Sequence, residues 1–427
     1  MIKKLLLFLT FINLTLASFS QEGSPSLNDT MQVKKEEISL DAPPVMAKKW
    51  NQVKTRFFTL NIGAAILLDH NIVVQDENSI SQVGKVNPGT EFRGDRLIIT
   101  GQLLFFKNPW HYMFGANYNG LDAPQGNNAY SFLDWSLEIP VGKKGGWITL
   151  GKQKEGVGYE YWAPGSQLFF TERGSGEPPL VRQRNIGIRY SNSLLKQRLI
   201  YTIGAFNNYW ETGKSFSDNG SQFVSRLTYL PVYKSDRNLL HLGVGYRYSE
   251  ATDGKLSYKG KPEANTAPSY FKTDTIAATN SNTIMFELIK VNGPFSFVGE
   301  YLNNFVNIPG KDLSFGYYQL GGSWFITGEN RRYNKQNGVL GKLIPKRNFT
   351  FKKNTGPGAF ELGMRYTYSD FTDQNITGGN FGRFTTALGW YPNAHFRFEV
   401  NYGYGSLEKN DITGKSNFWQ FRIQFEL

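Results

Sequence analysis

The chain has 427 residues, carries 47 Lys and Arg against 35 Asp and Glu for a formal net charge of +12, and contains no cysteine. The length admits one large domain or two ordinary ones, and the missing cysteine excludes disulfides, thiolate metal sites and a lipidated N-terminal cysteine. Beyond the first twenty residues no apolar run is long enough for a transmembrane helix, yet 15% of the residues are aromatic and 45 are glycine, a balance that points to a β-rich chain and admits a barrel.

Residues 1–20 read as a secretory signal peptide. Lys3 and Lys4 form its positive start, residues 5–17 a short apolar run, and Ser18 and Ser20 the small positions before a cut at Gln21. That run is too short to span a bilayer. An exported basic chain is not expected to meet nucleic acid; small anionic solutes and an anionic membrane surface suit its charge better. Residues 21–54 are polar, include KKEE and APP, and show no strand pattern. They are expected to form a periplasmic N-terminal segment ahead of a barrel spanning 55–427.

From residue 55 onward one grammar repeats. Segments of about ten residues alternate apolar with polar or small side chains, then break at Asn, Gly, Asp or Pro. Near the end, Phe421, Ile423, Phe425 and Leu427 alternate with Gln420, Arg422, Gln424 and Glu426. Successive side chains of a strand point to opposite faces, so one face is apolar and the other charged. The same alternation recurs around Arg247, Arg365 and Arg397. Trp110, Tyr112, Trp147, Trp390 and Trp419 sit where girdles at the two lipid–water interfaces would fall. About sixteen such strands are predicted, an even number that closes as an antiparallel transmembrane β-barrel and leaves a lumen. Counting back from a C-terminal strand that ends in the periplasm makes 391–394 a tight periplasmic turn and 404–417 external. Residues 328–357 then form an oversized periplasmic connection, and 154–184 the third external loop.

Several stretches resemble the phosphate-selective porin O and P family. GKQKEGVGYEYWAPGSQLFFTERGSGEPPLVRQRNIGIRY is similar to its strand, inserted loop and R-N-I-G strand. IGAFNNYWETGKSFSDNGSQFVSRLTYLPVY, SWFITGENRRYN, GPGAFELGMRYTYSDF and LGWYPNAHFRFEVNY resemble further family stretches in the same order. The resemblance covers most of 55–427. It implies a homotrimeric, sixteen-stranded porin in the outer membrane of a Gram-negative bacterium, surrounded by lipid, narrowed by an inward third loop, preferring anions and in some members phosphate or polyphosphate.

Such a pore needs fixed charge along a narrow path, and no cofactor. Two groups of cations are candidates. One is the cluster in 328–354: Arg331, Arg332, Lys335, Lys342, Lys346, Arg347, Lys352 and Lys353, against the single acid Glu329. The other is the set Arg189, Arg226, Arg365, Arg397 and Arg422, placed on the lumen wall by parity, with Arg173 in the third loop. Arginine meets phosphate through a planar fork and keeps its charge. Against this, the wall arginines can pair with lumen acids such as Asp134, Glu287, Glu300, Glu361 and Glu399. The third loop is also charge-balanced, which weakens phosphate specificity and leaves a general porin as the alternative. An outer-membrane enzyme, for example a lipid hydrolase, would need a constellation around His70, His111, His241 or His395, and none of the four lies in a recognisable motif.

Overall fold

The computed structural model describes residues 51–118, 130–142, 145–182, 184–207, 220–352 and 355–427. The signal peptide, nearly all of the 21–54 segment and Lys353 lie outside these residues. Sixteen long strands follow one another: β1 (Phe58–Gln75), β2 (Gly89–Leu103), β3 (Trp110–Tyr118), β4 (Tyr130–Pro140), β5 (Trp147–Lys154), β6 (Arg184–Leu194), β7 (Leu199–Asn207), β8 (Ser221–Ser235), β9 (Asn238–Glu250), β10 (Asn280–Asn292), β11 (Phe295–Ile308), β12 (Lys311–Phe325), β13 (Ala359–Asp373), β14 (Ile376–Tyr391), β15 (Phe396–Lys409) and β16 (Ile412–Glu426). Each pairs antiparallel with the next, and β1 pairs with β16 from Ala65↔Glu426 to Gln75↔Ser416, so the sheet closes. Closure satisfies every strand edge, which lipid would otherwise leave without partners. Ahead of the barrel, Gln52–Lys54 folds back along β1, with Thr55 turning the chain through bonds from the Phe57 and Phe58 amides.

The barrel is inside-out relative to a soluble protein. On β16, Trp419, Phe421 and Ile423 are exposed while Gln420, Arg422 and Gln424 are buried. On β13, Met364 and Tyr366 are exposed while Glu361, Arg365 and Thr367 are buried. The exposed stripe meets lipid and the buried face lines the lumen. Aromatics ring the end where β16 finishes, with Trp390 stacked on Phe360 and Phe398, and Phe295 on Trp324.

The strands run further than the turn residues alone suggest. β15 and β16 meet at Asn410–Asp411, both left-handed (φ 52° and 60°), as a two-residue hairpin requires. Residues 404–409 and 412–417, expected in an external loop, are therefore wall. Alternation persists through them, with Leu407 and Phe418 buried.

Besides the third external loop, with its short helical turns at Tyr159–Trp162 and Glu177–Leu180, two long external connections carry structure. Residues 251–279 form two short hairpin ladders, Lys255–Leu256 with Ile276–Ala277 and Lys259–Gly260 with Phe271–Lys272. Tyr258, Tyr270 and Phe271 from this connection pack on Phe315, Phe371, Phe381 and Phe418 of the wall. Between β1 and β2, the helix α1 (Glu77–Val83) is capped by Asp76 accepting from Ser79 N, and Ser79 Oγ lies 2.8 Å from Ser416 Oγ of β16.

The candidate anion pathway

The wall arginines arrive on the buried face, and each meets an acid or a carbonyl. Arg226 grips Glu287 with two of its guanidinium nitrogens, Nε and Nη2, at 2.8 and 2.6 Å, and donates to Asn337 O and Gly338 O. Arg422 holds Asp69 across β16 and β1, at 2.7 and 2.6 Å. Arg365 reaches Glu160 at 2.9 Å and Glu263 at 2.7 Å. Arg397 pairs with Glu399 and donates to Leu168 O and Phe169 O. Arg189 donates to Lys154 O at 2.7 Å and lies 3.8 Å from Glu138. Arg173 donates to Glu160 O and Ala163 O. Of the five acids named as possible partners, Glu287, Glu399 and Glu361 each pair with a candidate arginine, while Asp134 pairs with Arg184 at 2.7 Å and Glu300 accepts from Tyr159 N and Gln319.

The 328–354 cluster divides. Arg331 is buried and bonds Glu361 at 2.7 Å, Tyr391 OH at 2.9 Å and Gln167 O at 2.6 Å. Lys342 lies 3.8 Å from Glu426; burial lowers the pKa of its ammonium, and Glu426 opposes that shift. Lys335 sits over the Tyr233 ring, 3.6 Å from its centroid. Lys346 donates to Gly328 O, and Arg332, Arg347 and Lys352 are exposed. Between these residues Tyr333, Val339 and Leu340 are buried against Leu230, Leu239 and Ile289 of the wall. The hydroxyl of Tyr333 lies 2.6 Å from His241 Nδ1.

Residues 155–183 touch five strands through atoms on the buried face. Tyr159 N donates to Glu300 of β11, and Gln424 of β16 donates to Ser166 O. Asn401 of β15 donates to Thr171, and Ser175 Oγ lies 2.8 Å from Ser369 Oγ of β13. Gly174 and Gly176 back directly onto Tyr317 of β12, leaving no space there for a Cβ. Glu177 accepts from Tyr161 N with one oxygen, while its other oxygen is buried with no partner among the described residues. Burial, reinforced by Glu300 and Glu160, pushes this carboxyl well above the usual range. Glu263, at the tip of the 251–279 connection with φ 60°, joins that connection to Arg365, Thr367 and Ser175 N.

Opposite, on the β1–β4 side, lies a cavity of about 430 Å³ lined in part by Arg93, Arg96, Lys154, Arg184, Asp134 and Ser166. Arg184 pairs with Asp134, and Lys154 donates to Trp162 O and Ala163 O. Arg93 pairs with Glu172 at 2.5 and 3.1 Å. Arg96 makes no hydrogen bond or ion pair with any described residue, and its Nε is buried without a partner. Parity hides these two arginines. They stand three apart, which puts them on opposite faces of a regular strand, but Leu68 pairs with Phe92 and Leu67 with Gly94, so Arg93 is an extra residue in β2. The bulge restores both to the lumen. The adjacent Gly94–Asp95 pair is the one sequence signal beside it.

The histidines are scattered. His70 lies 2.7 Å from Thr90, His111 meets Gln102, His241 meets Tyr333 and Glu287, and His395 lies 2.8 Å from Glu426 O.

A family description, phosphate-selective porin O and P, matches residues 73–426. An uncharacterized protein of Caulobacter vibrioides is 28% identical over 209 residues, 47% of this chain, and the chain spans only 41% of that relative's length. Three solved structures share the fold. The anion-selective porin from Comamonas acidovorans has a TM-score of 0.54 at 12% identity, covering 87% of this chain and 100% of that one. OmpF of Salmonella typhi, in complex with daunomycin, has a TM-score of 0.55 at 10% identity over 88% and 100%. The outer membrane channel DcaP of Acinetobacter baumannii has a TM-score of 0.51 at 11% identity over 88% and 99%. Family and barrel together point to a channel rather than an enzyme. With five-sixths of its length matched, the chain belongs to the phosphate-selective porin O and P family and is a porin of the Gram-negative outer membrane.

Proposed function

We propose that this porin passes small anions by passive diffusion, along a path between the inner wall of β1–β4 and an inward-folded third external loop, residues 155–183. The observation that carries this reading is Arg96: a lumen guanidinium with no acidic partner beside a cavity. A neutralised arginine presents little net field to a passing ion, whereas an unpaired one attracts anions and repels cations. Contacts of residues 159–175 with β11, β13, β15 and β16 support the inward loop.

Phosphate is one of the anions admitted, but the balance of charge favours a general anion preference over phosphate specificity. The cavity sets Arg93, Arg96, Lys154 and Arg184 against Glu91, Asp134 and Glu426. Of the clustered residues, Arg331 and Lys342 are the two that pair within the lumen, and both are committed to acids. Export by cleavage before Gln21 and assembly as a homotrimer belong to the same reading.

Reversal potentials across a planar bilayer in a potassium chloride gradient test it. The expected sign is a preference for chloride over potassium; a cation preference would sink the proposal. Millimolar phosphate added to the same bilayers separates the readings. Little block of chloride current is expected, and a strong block would restore phosphate specificity.

A further inference from the structure

Porin lumens are lined by polar side chains, because a hydrated solute must cross them. The wall around Arg96 departs from that rule. Ile98 on β2, Met113 on β3 and Leu133 on β4 all line the cavity, on three adjacent strands. The register brings them together: Ile98 pairs with Gly115 and Thr100 with Met113, so Met113 and Gly115 of β3 share the lumen face with Ile98 and Thr100 of β2. A bulge between Phe114 and Ala116 turns Leu133 inward, while Phe132 and Trp135 keep the lipid side. Gly115 sits among the three, and a Cβ there would come 3.1 Å from Leu133 Cβ. Pro164 of the third loop lines the same cavity. One pairing step toward the external end lies a polar group: Arg96 opposite Asn117, and Asn117 opposite Ser131.

We propose that this cavity is a binding step for monovalent organic anions with an apolar body, small carboxylates above all. The inference rests on the anion-pore reading and sharpens its cargo. The carboxylate meets Arg96 in its free fork, beside Asn117 and Ser131. The hydrocarbon lies over Gly115 against Ile98, Met113 and Leu133. One unpaired guanidinium matches one negative charge, whereas inorganic phosphate has no apolar part to offer this wall and calls for several free donors. At about 430 Å³ the space is within the range of small-molecule sites.

Single-channel recording with chloride as the carrier tests this with hexanoate, acetate and phosphate as blockers. Hexanoate is expected to halve the chloride current at about tenfold lower concentration than acetate, through partial burial of its additional methylenes. It should also block more strongly than phosphate. Arg96→Gln is expected to abolish block by both carboxylates. Met113→Ser combined with Leu133→Ser should weaken hexanoate block to the level of acetate and leave acetate block unchanged. The proposal is overturned if phosphate blocks as well as hexanoate, or if the serine pair leaves hexanoate block intact. Reversal potentials from the same bilayers keep the two readings apart. Loss of chloride preference in the parent protein removes the anion pore itself; chloride preference without hexanoate block removes only this site.

Discussion

At the scale of single residues, charge counting overstates what a lumen offers to an ion. Arg226, Arg365, Arg397 and Arg422 were legible in the sequence as lumen residues, because alternation alone sets their face. Their partners were partly legible. Glu287 is a wall acid two strands away from Arg226, on β10, and Glu399 lies on the same strand as Arg397, while Glu160 and Glu263 arrive from loops whose course alternation cannot give. The contrast between Arg96 and Arg331 is accordingly testable. Arg96→Gln removes an unpaired charge from the path. It should lower the chloride-to-potassium permeability ratio about fivefold, the equivalent of roughly 1 kcal/mol for a unit charge at close range in water. Arg331→Gln removes the partner of buried Glu361, so its main effect falls on the fold, on the order of 3–5 kcal/mol as for other broken buried pairs. Reversal potentials and heat-induced unfolding of the purified barrel separate the two. Equal selectivity loss in both variants would show that pairing does not silence Arg331.

At the scale of elements, the strands were readable and their interruptions were not. Period-two alternation set all sixteen strands because one face must meet lipid. The β2 bulge at Arg93 inverts that period within a single strand, and only the adjacent Gly94–Asp95 pair in GTEFRGDRLIITGQL hints at it. The third loop was readable in position but not in its contacts, since its packing depends on Gly174, Gly176 and buried carboxylates rather than on periodicity. One of those carboxylates makes the loop sensitive to pH. Burial, then Glu300 and Glu160, raise the Glu177 pKa, with Arg173 opposing them. A carboxyl raised in the packed loop binds its proton more tightly there than in a released loop. Its contribution is therefore full below the ordinary carboxylate range and is lost as pH rises through the raised value. Raising the pH should loosen residues 155–182 and increase open-channel current noise. Glu177→Gln keeps the shape and removes the ionisation, so its noise should stay flat across the same pH series. A wild-type trace without pH dependence would remove Glu177 as the cause.

At the scale of the whole molecule, the lumen is narrowed from both ends by segments that the sequence identifies as too long or too charged for simple turns. Residues 251–279 carry Tyr258, Tyr270 and Phe271 onto the inner wall near the external turns. Residues 331–343 place Tyr333, Val339, Leu340 and Leu343 among buried wall residues at the other end. Lys342 and Leu343 line a narrow space of about 20 Å³ that shares Ser166 and Glu426 with the larger cavity. On the proposed path an ion leaving the Arg96 cavity toward the periplasm meets this space next, which would put the segment in series with the third loop. Replacing residues 331–343 by a short Gly-Ser linker should raise single-channel conductance, because the series resistance at the periplasmic end falls. With Glu361→Gln and Glu426→Gln added to silence the acids that Arg331 and Lys342 leave behind, chloride preference should survive, because Arg96 stays in place. Tyr333 leaves with the segment, so His241 loses one bond but keeps Glu287. Conductance and reversal potential together decide the matter. Unchanged conductance would place the limiting resistance at the third loop alone, and lost chloride preference would assign selectivity to the 331–343 segment after all.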